Sequence, residues 1–236
     1  MTTGKLHIVG VGPGDPELLT LKAARLIESA DVTAYPETEN GRRRARDIVA
    51  DHLGRAHQIE RPFRLPMASD LAPAQAAYDR ASALIAADLD AGRNVVLLCE
   101  GDPFLYGSAI HVHARLAGRY DVAVVPGVTS VTACAAEIGL ALASRMDVFS
   151  IIPATLDGGA LEDRLAACDA AAIIKVGRHF EKIAGILKRN GLADRAMLIA
   201  APADDAPRAL PLSELNGTLP PYFSTILVSR KGAPLQ

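Results

Sequence analysis

The stretch Leu6-His7-Ile8-Val9-Gly10-Val11-Gly12-Pro13-Gly14-Asp15-Pro16 decides the fold class of this chain. The short apolar run from Leu6 to Val9 predicts a strand, and Gly10 ends it. The segment from Leu18 to Ala30 then carries apolar residues at helical spacing. A strand, a glycine-rich loop and a helix in this order are typical of α/β proteins, in which the loop lies at the carboxyl end of the first strand.

The alternation of strand-like and helix-like segments continues along the 236 residues. Further strands are predicted at 31–35, 94–99, 122–125, 148–152, 171–176, 196–201 and 225–229, and further helices at 75–90, 104–117, 161–167 and 180–190. The segment 208–221, rich in Pro and Leu, predicts a loop with little helix. We therefore predict an α/β fold of two domains joined near Pro126: residues 1–125 with a mainly parallel sheet, and residues 126–236 with a mixed sheet.

The composition excludes several classes of protein. Half of the residues are apolar and 22% are charged, which is too apolar for a disordered chain, and the net charge of −2 argues against a nucleic-acid partner. No stretch approaches the roughly 18 consecutive apolar residues of a membrane span, and the N-terminal residues lack a signal-peptide pattern. Cys99, Cys134 and Cys168 are far apart, without metal-ligand or disulfide spacing, so we expect a cytoplasmic protein and no metal ion.

The loop after the first strand does not fit a phosphate site. A dinucleotide fingerprint G-x-G-x-x-G starting at Gly10 would need its third glycine where Asp15 stands. Pro13 and Pro16 lack the backbone N–H groups that bind phosphate, and no Gly-Lys-Ser/Thr follows. The loop suits a neutral or cationic ligand better than a phosphate, and a purely structural turn is the alternative.

Two further strand-to-helix turns share this chemistry. Glu100-Gly101-Asp102-Pro103 follows the predicted strand 94–99, and Pro126-Gly127-Val128-Thr129-Ser130 follows the strand 122–125. Carboxyl ends of parallel strands lie at one edge of a sheet, so we expect the three turns to converge on one crevice.

These three motifs together resemble the tetrapyrrole methylase family. Val9 to Ala23 is similar to the opening signature of the family, Cys99 to Ser108 to its Gly-Asp-Pro loop, and Val125 to Ser130 to its third motif. The Glu-Gly-Asp-Pro-Phe form of the second loop, with Tyr35-Pro36 and Lys175-Val176-Gly177-Arg178, is most similar to members that methylate the cobalamin precursor precorrin-2 at meso carbon C20. Members acting on uroporphyrinogen normally carry Gly where this chain has Glu100.

The resemblance implies two α/β domains of the tetrapyrrole methylase (class III methyltransferase) type, a cleft between them that binds S-adenosylmethionine, and a homodimer. This methyl donor is a sulfonium cation without phosphate, which agrees with acidic loops that lack an anion site. Carried over by position, its contacts are Pro13, Glu100, Gly101, Asp102, Leu105, Thr129, Ser130, Val176, Ala200, Ala201, Ser224 and Thr225.

Methylation of an electron-rich meso carbon requires that the protein position the methyl donor against that carbon. After methyl transfer, it also requires a base that takes the proton from C20. Candidate acid–base groups are Glu100, Tyr106 and Tyr35, and Asp102 has the alternative role of capping the next helix. Early corrinoid precursors carry eight carboxylates, which arginine matches in geometry. Candidate substrate contacts are Arg42, Arg43, Arg44, Arg46, Lys175 and Arg178, and a solvated helix start is the alternative for residues 42–46.

Other functions are weighed against this one. The first is methylation of a cobalt-containing form of the same substrate, and the second is the activity of another tetrapyrrole methylase. The third is an NAD-dependent oxidoreductase, and the fourth is a regulatory module that binds S-adenosylmethionine without turnover. Asp15 and the two prolines argue against the oxidoreductase.

Overall fold

The computed structural model describes residues 3–54, 57–65, 71–200, 208–212 and 224–230. The chain divides into two compact units, Met1–Thr129 and Ser130–Gln236. The sequence predicts the joint near Pro126, between residues 125 and 126. Gly127 lies within the first unit, where its N–H donates to the Asp102 carboxylate at 3.1 Å.

The first unit contains a five-stranded sheet in the order β3-β2-β4-β1-β5. Its strands are β1 (Leu6–Gly10), β2 (Val32–Glu37), β3 (Ile59–Arg64), β4 (Val95–Cys99) and β5 (Val122–Val125). Every pairing between them is parallel. All residues of β4 are buried, as expected of a strand covered on both faces.

Helices cover both faces of this sheet. The helices α1 (Leu21–Ser29) and α2 (Arg44–Ile48) pack on one face through side chains that include Ile27 and Ile48. The helices α3 (Leu71–Asp90) and α4 (Ala109–Leu116) pack on the other through Ile85 and Val112. Thr20 caps α1 by accepting the N–H of Ala23 at 3.2 Å.

The second unit contains a mixed five-stranded sheet in the order β6-β7-β10-β8-β9. Its strands are β6 (Phe149–Pro153), β7 (Ala170–Ile174), β8 (Ala196–Ala200), β9 (Arg208–Pro211) and β10 (Ser224–Ser229). The pair β6–β7 is parallel and the other pairs are antiparallel.

Three helices cover the second sheet. The helices α6 (Gly158–Ala166) and α7 (Phe180–Arg189) lie over one face through Leu161 and Ile183, and α5 (Ser130–Glu137) lies over the other through Val131. Lys182 of α7 donates to the carbonyls of Ala154 and Leu156 at 2.6 and 2.5 Å, which fixes the loop after β6. No helix in the described residues is both long and apolar enough to span a bilayer.

The two-domain α/β fold class is confirmed, and several element predictions are wrong in detail. The strand β3 and the helix α5 were not predicted, α2 was considered only as the alternative of a helix start at residues 42–46, and β9 lies within the segment predicted as a loop. The helix predicted from Phe104 begins only at Ala109, because Tyr106 has a left-handed backbone with φ of 57°.

Candidate functional site

The strand order places a crevice between the carboxyl ends of β1 and β4. These strands are neighbours, yet β1 leads into α1 on one face of the sheet and β4 leads into α4 on the other. Such a switch point is where open α/β sheets bind their ligands. The loops that follow these strands begin at Val11 and at Glu100.

The turns after β1, β4 and β5 meet backbone to backbone at this switch point. The N–H of Gly101 donates to the carbonyl of Gly12 at 2.7 Å, and the N–H of Val11 donates to the carbonyl of Cys99 at 2.9 Å. A Cβ on Gly10 would lie 2.6 Å from the carbonyl oxygen of Gly101 and from the nitrogen of Gly127. The expected convergence of the three turns is therefore present, and it depends on the absence of side chains.

Asp102 fixes two of these turns to each other. One carboxylate oxygen accepts the N–H of Phe104 at 2.9 Å, and the other accepts the N–H of Gly127 at 3.1 Å. Asp102 does not cap the next helix, because α4 starts after Ser108. Both of its carboxylate oxygens are thus engaged in holding the turns.

Glu100 lies at the mouth of the crevice beside an arginine from another element. The Nε of Arg44 in α2 is 3.8 Å from a Glu100 carboxylate oxygen, and the Glu100 side chain is 31% exposed. The Nη2 of Arg44 also donates to the carbonyl of Pro13 at 3.2 Å. One guanidinium therefore contacts both loops of the switch point.

Burial raises the pKa of the Glu100 carboxyl, and the positive charge of Arg44 partly opposes this rise. A raised carboxyl pKa suits a group that accepts a proton during turnover. The neighbouring thiol is not a candidate nucleophile, since burial raises the pKa of Cys99 to about 12.

The predicted arginine run divides into two kinds of residue. Arg42 and Arg43 are exposed, although the Arg43 side chain also hydrogen-bonds Tyr35. Arg46 forms a forked ion pair with Glu60 of β3, with both N···O distances 3.1 Å. Tyr35 is 1% exposed, and its hydroxyl donates to the same Glu60 carboxylate at 2.6 Å. Burial first, and then the Glu60 hydrogen bond, raises the pKa of Tyr35. Tyr35 and Arg46 thus join β2, β3 and α2.

Apolar side chains are exposed on the turn between β4 and α4. Phe104, Leu105 and Tyr106 are 52%, 37% and 45% exposed, and the Phe104 ring contacts His113 edge to face. Burying three large side chains would be favourable, so their exposure beside the switch point is typical of a ligand-contacting surface.

The predicted contacts of the second unit gather at one end of its sheet. Ser224 pairs with Ala200 and Thr225 with Ile199 of β8, while the next residue, Ile226, pairs with Ile173 near the carboxyl end of β7, which Val176 follows. Val176, Ser224 and Thr225 are buried, and the Thr225 hydroxyl hydrogen-bonds the Cys134 thiol of α5. Ala201 lies outside the described residues.

The remaining predicted residues of this half follow β7 or lie at the division between the units. Lys175 is exposed with a left-handed φ of 59°, and Arg178 is exposed with its Nε 3.5 Å from His179. Thr129 ends the first unit, and Ser130 opens α5.

The sequence reasoning missed Glu60 and the double role of Arg44. Glu60 lies in a strand that has no apolar run to reveal it, and Arg44 was grouped with its neighbours as a substrate contact. The sequence contained part of the information needed to place Arg44. Its neighbour Ala45 is buried, and burial of Ala45 orients α2 on the sheet. In the described ranges, no three His, Cys, Asp or Glu side chains are grouped so as to hold a metal ion.

Most of the chain is similar to known proteins of cobalamin biosynthesis and tetrapyrrole methylation. The family described as tetrapyrrole (corrin/porphyrin) methylases matches residues 5–203. A Mycobacterium tuberculosis protein named cobalamin biosynthesis protein CobIJ is 41% identical over 95% of this chain, which spans only 46% of that relative's length. The Sinorhizobium precorrin-2 C(20)-methyltransferase is 38% identical, with 95% of each chain covered. The Salmonella typhimurium cobalt-precorrin-2 C(20)-methyltransferase is 32% identical, with 97% of each covered.

A solved structure extends the likeness to three dimensions. The uroporphyrin-III C-methyl transferase from Thermus thermophilus, complexed with S-adenyl homocysteine, has a TM-score of 0.66 and 26% identity, covering 95% of this chain and 97% of its own. The fold, the glycine turns at the switch point and these matches agree over most of the sequence. The chain therefore belongs to the tetrapyrrole (corrin/porphyrin) methylase family.

Proposed function

We propose that the protein transfers the methyl group of S-adenosylmethionine to meso carbon C20 of precorrin-2, giving precorrin-3A and S-adenosylhomocysteine in cobalamin biosynthesis. The Sinorhizobium relative, which is matched over nearly its whole length, supports this substrate. The supporting feature in the chain itself is Glu100, half-buried beside Arg44 at a switch point built from glycine backbone.

The chemistry of the site suits a sulfonium donor. Pro13 provides a carbonyl but no N–H, and the negative charge of Glu100 offsets the positive charge of Arg44, so the crevice lacks both the backbone donors and the net positive charge that bind a phosphate. The Thermus relative, solved with the demethylated product of this donor, supports the same ligand class. The other proposed donor contacts are Gly101, Asp102, Leu105, Thr129, Ser130, Val176, Ala200, Ala201, Ser224 and Thr225.

The reaction balances without a metal ion or an oxidant. The C20 carbon attacks the methyl carbon, the new C–C bond forms as the C–S bond breaks, and the sulfonium leaves as a neutral thioether. The resulting cation then loses its C20 proton to a base, for which we propose the Glu100 carboxylate, with Tyr106 nearby in sequence as a second acid–base candidate. We assign Tyr35 a structural role, because its buried hydroxyl is engaged with Glu60.

Substrate carboxylates are proposed to contact the exposed cations Arg42, Arg43, Lys175 and Arg178. Arg46 is left out of this set, because its guanidinium is held by Glu60. Replacing an exposed member by Ala is expected to raise the KM for the tetrapyrrole while kcat stays near the parent value.

Turnover of precorrin-2 tests the proposal. Purified protein is incubated with precorrin-2 and S-adenosylmethionine, and mass spectrometry follows the gain of one methylene unit and the release of S-adenosylhomocysteine. Glu100→Gln is expected to lower kcat while S-adenosylhomocysteine affinity changes by less than about tenfold, or roughly 1.4 kcal/mol. Tight NAD binding with no affinity for the S-adenosyl ligand would contradict the proposal. Ligand binding without turnover would favour the regulatory module.

Cobalt-precorrin-2 is the second candidate substrate, favoured by the Salmonella relative, which covers 97% of the chain. The same assay with both substrates separates the two, since the preferred one has the higher kcat/KM. We further propose a homodimer in a reducing, cytoplasmic compartment. All three cysteines are free thiols, which agrees with such a compartment, and light scattering measures the oligomeric state.

A further inference from the structure

We propose that Arg44 is a positioning residue of the methylation site, acting through Glu100, and not a contact for substrate carboxylates. This inference rests on the proposed function. The observation behind it is that the guanidinium of Arg44 contacts Glu100 at 3.8 Å and the carbonyl of Pro13 at 3.2 Å.

Packing holds Arg44 in this place. The adjacent Ala45 is 1% exposed and Ile48 is 6% exposed, and both belong to the apolar cluster under α2. A Cβ on Gly14 would lie 3.1 Å from the Nη2 of Arg44, so the β1 loop approaches the guanidinium closely. The Arg44 side chain is 22% exposed, whereas Arg42 and Arg43 are both exposed residues. Arg44 thus differs from its neighbours in the run.

The position of Arg44 has two chemical consequences. First, one guanidinium bridges the loop after β1, through a hydrogen bond, and the carboxylate after β4, through an ion pair, which are the two sides of the crevice. Second, its positive charge favours the ionised form of Glu100, the form that accepts a proton. Burial acts in the opposite direction and raises the pKa of Glu100.

Few other charges act on Glu100. Among the described residues, Arg44 is the charged group that acts on it from another element, while Asp102 and Cys99 lie in its own loop and strand. The Cys99 thiol stays neutral at ordinary pH, and the Asp102 carboxylate accepts two backbone N–H groups. Removal of the Arg44 charge therefore leaves burial unopposed, and Glu100 takes up its proton at a higher pH.

A double-mutant cycle with Glu100 tests the proposal. Arg44→Gln is expected to lower kcat by about tenfold, to leave the KM for precorrin-2 within about twofold, and to move the acid limb of the kcat–pH profile to higher pH. In a Glu100→Gln background, the same change is expected to have little further effect on kcat, because Arg44 acts through that carboxylate. Arg25→Gln on α1 is the matched control, since Arg25 is an exposed arginine that bonds within its own helix, and its kinetics should equal those of the parent.

The outcomes separate this proposal from the proposed function. A raised KM with unchanged kcat and pH profile would make Arg44 a substrate contact, and additive effects in the cycle would make it independent of Glu100; either overturns the positioning role. If Arg44→Gln does not fold, Arg44→Lys keeps the charge, and it should lower kcat while the acid limb stays near that of the parent. A parent protein that binds S-adenosylhomocysteine but methylates neither form of precorrin-2 would instead overturn the proposed function and the role of Arg44 with it.

Discussion

At the switch point of the first sheet the candidate contacts are mostly backbone groups, whereas at the corresponding end of the second sheet they are side chains on paired strands. Gly10, Gly101 and Gly127 bring three turns within contact distance: a Cβ on Gly10 or Gly127 would overlap backbone atoms, and Gly101 has a left-handed φ of 62°. In the second unit, Ser224 and Thr225 lie at the start of a strand paired on both sides. The first arrangement depends on the absence of side-chain atoms and the second on which side chains are present, so the two ends should respond differently to substitution.

The largest effect is expected from Gly127→Ala. A Cβ at this position would overlap the carbonyl oxygen of Gly101, which is backbone and has little freedom to move. We expect a loss of about 3 kcal/mol in the free energy of unfolding, together with loss of S-adenosylhomocysteine binding. Urea denaturation and calorimetry measure the two quantities.

Gly118→Ala is the matched control for this prediction, because a Cβ there meets nothing within 4 Å. It should leave stability and binding near the parent values. Equal stability of the two alanine variants would show that the turns can separate, and the contrast between the two sheet ends would then be lost.

A smaller effect is expected from Asp102→Asn. The amide keeps one acceptor oxygen but turns an NH₂ group towards one of the two backbone N–H groups that the carboxylate now satisfies. We expect the free energy of unfolding to fall by about 2 kcal/mol. Asp121→Asn, which alters an exposed pair with Lys5, is the control and should cost much less. A cost for Asp102→Asn no larger than that of the control would mean that solvent replaces the lost bond.

The smallest effect is expected in the second unit, from Lys182→Met. Its ammonium group donates to two loop carbonyls, the reverse of the arrangement at Asp102. Because Lys182 is half-buried, water can solvate the carbonyls once the ammonium is gone, and we expect a loss of about 1 kcal/mol. Thermal denaturation of this variant and of Lys188→Met, an exposed lysine of the same helix, measures the difference. A loss greater than that of Asp102→Asn would reverse the order predicted for the two units.

The sequence predicts the interior of both sheets well and their margins poorly. The central strands β1, β4 and β10 are continuous apolar or β-branched runs, and these are readable because both faces are buried. The missed strands β3 and β9 each contain a proline and an arginine, and both lie at an edge of the described sheet. An edge strand needs no continuous apolar run, and it tolerates a proline that lacks an N–H group. Strand prediction relies on apolar runs without proline, so it misses such strands.

Residues of the candidate site could be predicted where they lie in a single loop with a recognisable sequence. Contacts between residues that are distant in sequence could not be predicted. The glycine and proline turns after β1 and β4 stand out in the sequence, and so does Glu100. The pairing of Arg46 and Tyr35 with Glu60 depends on the register between β2 and β3, which no local pattern specifies. The same holds for Arg44, whose contact with Glu100 follows from the packing of a five-residue helix.

The prolines at the sheet margins also bear on how the protein avoids unwanted self-association. In the described parts of the two sheets, the outer strands β3, β6 and β9 contain Pro62, Pro153 and Pro211, and β5 is followed directly by Pro126. A proline offers no N–H to an incoming strand, so the margins of β3, β6 and β9 are interrupted as templates for intermolecular β-pairing, and Pro126 prevents continuation of such pairing beyond β5. In β3 and β9, the same prolines that obscured the strands in the sequence thus help to keep separate copies of the protein from aggregating.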